Sequence, residues 1–229
     1  MKKRGATAGK QEESAKSTST RDRLLEVAGQ LFAEHGFDRT TSKEITEKAG
    51  TNIAAVNYHF NSLEGLYGAV IEEATRMLAT TSHMQAAVEE QGDAQDKLRA
   101  FLGVFVRVLT SPASSSWRLR VLVREFTSPT LVDQTKYKKS RLQKMNILKR
   151  IVSELMELPE DHPAVGRSCI NVMAPCFMLM LCDRPTLKRS FPKFGLKSDD
   201  APDLVQHMLQ FALAGIAAVA NEAKKDEHG

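Results

Sequence analysis

Residues 40–60, TTSKEITEKAGTNIAAVNYHF, spell two short helices bent around one glycine. Thr41 or Ser42 can cap the first helix, Glu44 and Glu47 lie toward its positive end, and Ile45 with Ala49 forms an apolar face at i, i+4. Gly50 can end that helix in the left-handed conformation. Thr51 or Asn52 can cap the second helix, in which Ile53, Val56 and Phe60 share one side. Its other side carries Asn57, Tyr58 and His59, and Ala54 and Ala55 are small enough for a backbone to approach. A narrow inner face and a polar, nearly uncharged outer face suit a DNA major groove, where amides and hydroxyls meet base edges or phosphates. The same spacing also fits a helical hairpin whose polar face meets only water, because helix, glycine, helix is a common pattern.

The flanks extend the pattern. Upstream, RDRLLEVAGQLFAEHGFDRTT carries a helical repeat at Leu24, Leu25, Val27, Ala28, Leu31 and Phe32, and Gly36 stops it. Downstream, NSLEGLYGAVIEEATRML opens another helix at Asn61 or Ser62. Helices grouped around Leu25, Ala28, Phe32, Ile45, Val56, Phe60 and Leu66 close a small core.

The run from Arg23 to about Val70 resembles the N-terminal DNA-binding domain of the TetR/AcrR family of bacterial transcription regulators. The matching elements are Leu-Phe-x-x-x-Gly-Phe at the end of the first helix, Thr-Thr-x-x-x-Ile in the second, the Ala-Gly turn, and Tyr58-His59-Phe60 closing the third. The resemblance implies an all-α protein, with an N-terminal three-helix helix-turn-helix domain and a C-terminal helical ligand-binding and dimerisation domain. By this resemblance Thr41 and Ser42 contact phosphates, Asn52, Ile53, Ala55 and Asn57 face the groove, and Tyr58 and His59 reach the DNA backbone. Two positions depart from the family pattern. Asn57 stands where an aromatic residue is usual and can hydrogen-bond an adenine edge instead, and Leu63 stands where a phosphate-binding lysine is usual.

Basic groups elsewhere can make up for that lysine. Residues 1–23 carry seven Lys or Arg against three acids, and the chain as a whole carries +4, so the other residues sum to zero. The segment is poor in large apolar residues, which predicts a mobile basic tail over 1–22, either a plain solvated terminus or an arm that adds phosphate contacts. Domain boundaries follow as 23–70 for DNA binding and 71–229 for ligand binding and dimerisation. With 42% hydrophobic residues, no long uncharged apolar run and no signal-peptide segment, a cytoplasmic protein without a membrane anchor is expected.

The body reads as helices. Residues 94–110 place Leu98, Phe101, Leu102, Phe105, Val106 and Leu109 on one face. A second helix runs from Trp117 to Phe126, and a long basic one covers 135–157 with Leu142, Met145, Leu148, Val152 and Leu155 inward and its lysines on a solvated face. Residues 164–182 are apolar and contain Pro175, which predicts a kink or interruption, and 202–223 end in small residues. By the family resemblance these last two helices form the homodimer interface. A two-fold pair of recognition helices then requires a palindromic operator, and a small-molecule effector that favours another subunit arrangement releases it.

The candidate effector residues are Phe101, Phe105, Trp117, Met145, Met173, Phe177 and Met180, which favour a lipophilic or aromatic compound. Arg120 and Arg124 can meet an anionic group or pair with Glu125 or Asp133. The segment REFTSPTLVD also resembles the effector half of YbiH-type regulators. A thiol-sensing regulator built on Cys169, Cys176 and Cys182 is the alternative, although buried reduced cysteine is the simpler account of them. An enzyme lacks support: His35, His59, His83, His162, His207 and His228 are scattered, and no phosphate-binding glycine loop, metal-ligand spacing or cofactor motif is present.

Overall fold

The computed structural model describes residues 5–77, 81–111, 116–130 and 135–226, with backbone alone at 5–18, 77, 81, 135–138, 140 and 226. Among these residues the chain is all helix and turn: α1 (Gly5–His35), α2 (Ser42–Ala49), α3 (Ala54–Phe60), α4 (Leu63–Met77), α5 (Thr81–Glu89), α6 (Ala94–Thr110), α7 (Trp117–Thr127), α8 (Thr135–Met156), α9 (Pro163–Leu181), α10 (Arg184–Ser190) and α11 (Ala201–Asp226). The all-α class expected from the sequence is the class observed.

The chain divides into two units, one made of the residues up to Ala74 together with Arg120–Gln134, the other of Thr75–Leu119 and Thr135–Gly229. This corrects the contiguous boundary expected after residue 70, because the second half of α7 belongs with the N-terminal helices. In the first unit Leu25, Ala28, Phe32, Ile45, Val56, Phe60 and Leu66 are all buried, the core read from the sequence. In the second unit α6 packs on α5, α8 and α11, and α11 also packs on α9.

Three readings change. Residues 5–22 are not an unstructured tail but the start of α1. They contain no proline, eight of the eighteen are Ala, Lys, Gln or Glu, Glu12 and Lys16 lie one turn apart, and extending a helix already held by Leu24–Phe32 needs no new nucleus. Along α8 the buried stripe is Lys144, Ile147, Leu148, Ile151, Val152 and Met156, while Leu142 and Met145 are exposed. Successive three-residue steps drift around a helix, so Leu142 and Leu155 point about 140° apart and cannot share a face. Burial of Lys144 also lowers its ammonium pKa, against the solvated face expected for these lysines. Finally, α9 runs through Pro175 without interruption. The carbonyl deprived of a donor belongs to Asn171, on the exposed side of the helix.

Two helices are long and apolar enough by composition to cross a bilayer, Pro163–Leu181 and Ser198–Lys225, with hydropathies of 1.5 and 1.3, against the expectation of no long apolar run. They pack on each other within the second unit, α9 burying Val165, Cys169, Val172, Met173 and Cys176.

Gly50 fixes the bend between α2 and α3. It adopts φ 60°, ψ 41°, its N–H donates to the Glu47 carbonyl at 3.2 Å, and the N–H of Thr51 donates to the Thr46 carbonyl at 2.9 Å. That double closure satisfies the last carbonyls of α2 and turns the chain toward α3. Replacing Gly50 by Ala forces a Cβ into the left-handed region, and the expected loss is about 1–2 kcal/mol of stability, measurable by urea denaturation.

Candidate nucleic-acid interface

The outward face of α3 is built by local rules. Thr41 caps α2, its hydroxyl accepting from the Glu44 N–H at 3.2 Å, and the Asn52 side-chain oxygen accepts from the Ala54 N–H at 3.0 Å, so Asn52, one residue before the N-cap Ile53, meets the first N–H of α3. The choice left open between Thr51 and Asn52 is thereby made. Val56 and Phe60 turn into the core. Ile53 at 56% and Tyr58 at 78% exposure stand outward with Asn52 and Asn57, while Ala55 and His59 are half-buried. The rings of Tyr58 and His59 meet edge to face at 4.8 Å, which holds Tyr58 against the helix end.

Sequence reading missed the groups that hold this face in place. The Arg23 guanidinium donates to the Ala49 carbonyl at 2.9 Å and so ties α1 to the end of α2. Arg21 lies over the Phe60 ring at 5.2 Å. Both arginines come from the basic segment whose charge alone had been counted. After α3 the chain turns at Asn61, at φ 66°, and a Cβ on Gly65 would collide with the Phe60 carbonyl, so α4 can start close against the recognition helix only with glycine there. Ser62 accepts from the Gly65 N–H at 3.1 Å, and its hydrogen bond to Glu64 lowers that carboxyl's pKa.

Behind the interface lies a buried carboxylate. Glu125, 4% exposed, accepts from the Tyr67 hydroxyl at 2.6 Å and from the Thr130 N–H at 3.1 Å. Burial first, and then the bond to Glu125, push the Tyr67 phenol far above its ordinary range, so it stays a donor. The Tyr67 ring packs against Phe32 at 4.9 Å and Phe37 at 5.0 Å. Next to it, Arg124 donates to the carbonyls of Glu34 and His35 at 3.5 and 3.3 Å, where α1 ends.

The candidate effector residues separate. Phe101, Trp117 and Met173 are buried, Phe105, Phe177 and Met180 half-buried, and the Phe101 and Phe105 rings lie 5.4 Å apart. Met145, 39% exposed, leaves the set for the helical-drift reason given above. Arg120 is exposed, and Arg124 is engaged on the carbonyls of Glu34 and His35. Asp133 lies outside the described residues. A groove of about 420 Å³ lined by Gln85, Gln143, Asn146, Lys149, Arg150 and Glu160, among others, involves none of the expected effector residues. No cluster of three or more His, Cys, Asp or Glu suited to a metal occurs among the described residues.

Two helices joined by a tight glycine turn, the second with an exposed polar face, and both closed over a small core by flanking helices, define a helix-turn-helix DNA-binding protein. Residues 24–70 match the family profile "Bacterial regulatory proteins, tetR family", and residues 94–216 match the C-terminal domain of the HTH-type transcriptional dual regulator CecR. The chain belongs to the tetR family of bacterial regulatory proteins. The CecR match characterises residues 94–216, a stretch that includes the REFTSPTLVD segment at 124–133. The chain is 37% identical over 68 residues to the HTH-type transcriptional repressor AcnR of Corynebacterium glutamicum, a stretch covering 29% of this chain and 36% of that protein. It is 34% identical over 90 residues to CecR of Shigella flexneri, covering 33% and 40%. The matched stretch thus spans little more than a third of these relatives. Among solved structures, AibR in complex with isovaleryl coenzyme A and operator DNA superposes with a TM-score of 0.62 over 84% of this chain and 97% of that one, at 13% identity, a likeness of fold. The relatives named here are transcription regulators and not enzymes.

Tyr67→Phe removes the donor to Glu125 and leaves a buried carboxylate oxygen unmet, for an expected loss of about 1–3 kcal/mol in chemical denaturation. Glu125→Gln keeps one accepting oxygen for the Thr130 N–H and turns its NH2 toward the Tyr67 hydroxyl, which can rotate to accept it, and is expected to lose less.

Proposed function

We propose that the protein is a ligand-responsive repressor that binds a palindromic operator as a homodimer in the cytoplasm and is released by a small lipophilic or aromatic effector. The outward face of α3 carries the reading: Asn52, Ile53, Asn57 and Tyr58 are exposed, carry no formal charge, and stand on a helix fixed at both ends. Phosphate contacts from Thr41, Ser42, Tyr58 and His59 set the register, and Asn57 reads a base edge. AibR, which has the same fold, is described in complex with both an acyl-coenzyme A and operator DNA, which supports an effector site in the C-terminal half.

Self-association is supported by α9 and α11. Ile170, Met178 and Leu181 on the first and Phe211, 76% exposed, and Val219 on the second stand outward, an apolar face of the kind that marks an interface. Alanine and glycine at Ala174, Ala214, Gly215, Ala217 and Ala218 allow close approach of helices. α7 gives ligand and DNA a common element, since it begins in the second unit and ends in the first.

Thiol sensing fits less well. Cys169 and Cys176 are buried, and desolvation pushes their thiols up to about 11 and about 12, so at neutral pH they stay protonated and unreactive. Maleimide treatment of the native protein at pH 8 is expected to label Cys182 alone, with the other two reacting only after unfolding, as read by mass spectrometry.

Genomic DNA fragments selected by the purified protein are expected to share a palindrome with half-sites an integral number of about 10.5 bp turns apart. Asn57→Ala should weaken that site by about 1–3 kcal/mol and relax one base position, whereas Tyr58→Ala should weaken binding across sequences alike. Enrichment indifferent to both substitutions refutes this reading.

A further inference from the structure

We propose that the indole N–H of Trp117 donates a hydrogen bond to an oxygen of the effector, which is accordingly a small, mainly apolar molecule carrying a carbonyl or carboxylate group. The inference rests on the effector reading above and adds the ligand's chemistry to it. Trp117 is 4% exposed, and its Nε1 is buried with no hydrogen-bond partner among the described residues. An indole nitrogen can only donate, and its rigid ring cannot swing the N–H toward another acceptor as a hydroxyl can. A buried donor in this state is destabilising, and an incoming acceptor relieves it. Thr51 Oγ1, the other buried side-chain atom without a partner among the described residues, is a rotatable hydroxyl on a half-buried residue.

Two further observations turn the unmet donor into a recognition group. The Arg118 guanidinium lies 4.5 Å from the centre of the Trp117 ring, and a cation over the π face draws electron density from the indole and strengthens its N–H as a donor. Trp117 also opens α7, while Glu125 and Arg124 near the other end of that helix are bonded within the first unit. Eight residues of helix span roughly 12 Å. A ligand oxygen on Trp117 therefore acts on the helix whose far end is bonded to α1 and α4, and linkage makes DNA and ligand each change the other's affinity.

Trp117 is the chain's single tryptophan, so indole fluorescence reports this N–H without interference. The test titrates the full-length protein, excited at the red edge of indole absorption, with three probes of matched size: 4-phenyl-2-butanone, 4-phenylbutyrate and butylbenzene. Binding of the ketone, the carboxylate or both with a red shift of emission, and of butylbenzene without one, is the expected result; the stronger of the first two assigns a neutral or an anionic acceptor. Trp117→Phe, checked for helix content by circular dichroism and titrated by calorimetry because it has no indole, should weaken the oxygenated probes by about tenfold and leave butylbenzene unchanged. Equal binding of all three probes without a spectral shift overturns the role of the N–H and leaves the apolar effector site standing. Failure of every probe to bind removes that site and this inference together.

Discussion

A carboxylate taken out of water must be met where it lies, and Glu125 is met by the Tyr67 hydroxyl and the Thr130 N–H. That requirement fixes α7 and the turn after it to α4. It also decides the division of the chain, since residues 120–134 join a unit otherwise completed by Ala74. α4 begins three residues beyond the end of α3, so the outward face of α3 stands directly on the element that the carboxylate holds. Removing one partner of such a pair costs more than the pair itself contributes, because the other is left desolvated.

The parts legible in the sequence are those set by near neighbours. Thr41, Gly50, Asn52 and the spacing Ile45–Ala49 act within one or two helical turns, and each does in the structure what its residue type suggests. Tyr67 and Glu125 lie 58 positions apart, and Arg23 and Ala49 lie 26 apart. No periodicity reports such pairings, since both partners look like ordinary members of their own helices. The inner face of α8 was misread for another reason: its leucines and methionine were joined by three-residue steps, which leave any one face within two turns. The effector residues stayed unsorted because a ring or thioether lining a cavity and one filling a core are the same residue in the same helical pattern.

α7 is unlike at its two ends. Near its C-terminus Arg124 and Glu125 have bonded partners, whereas at its N-terminus Trp117 holds a donor with none among the described residues. Between these ends Leu119, Val121 and Leu122 are buried, so the helix is packed along its length.

The length of α1 has a bearing on how DNA is approached. Its residues 5–23 carry four Lys or Arg against three acids, and that stretch is already wound. A flexible basic arm loses conformational freedom when it settles on a polyanion, and that loss weakens the contact. A preformed helix has met most of this loss during folding, so what it gains on contact comes largely from displaced counterions. For a helix of this kind, any contact with a polyanion is governed chiefly by ionic strength.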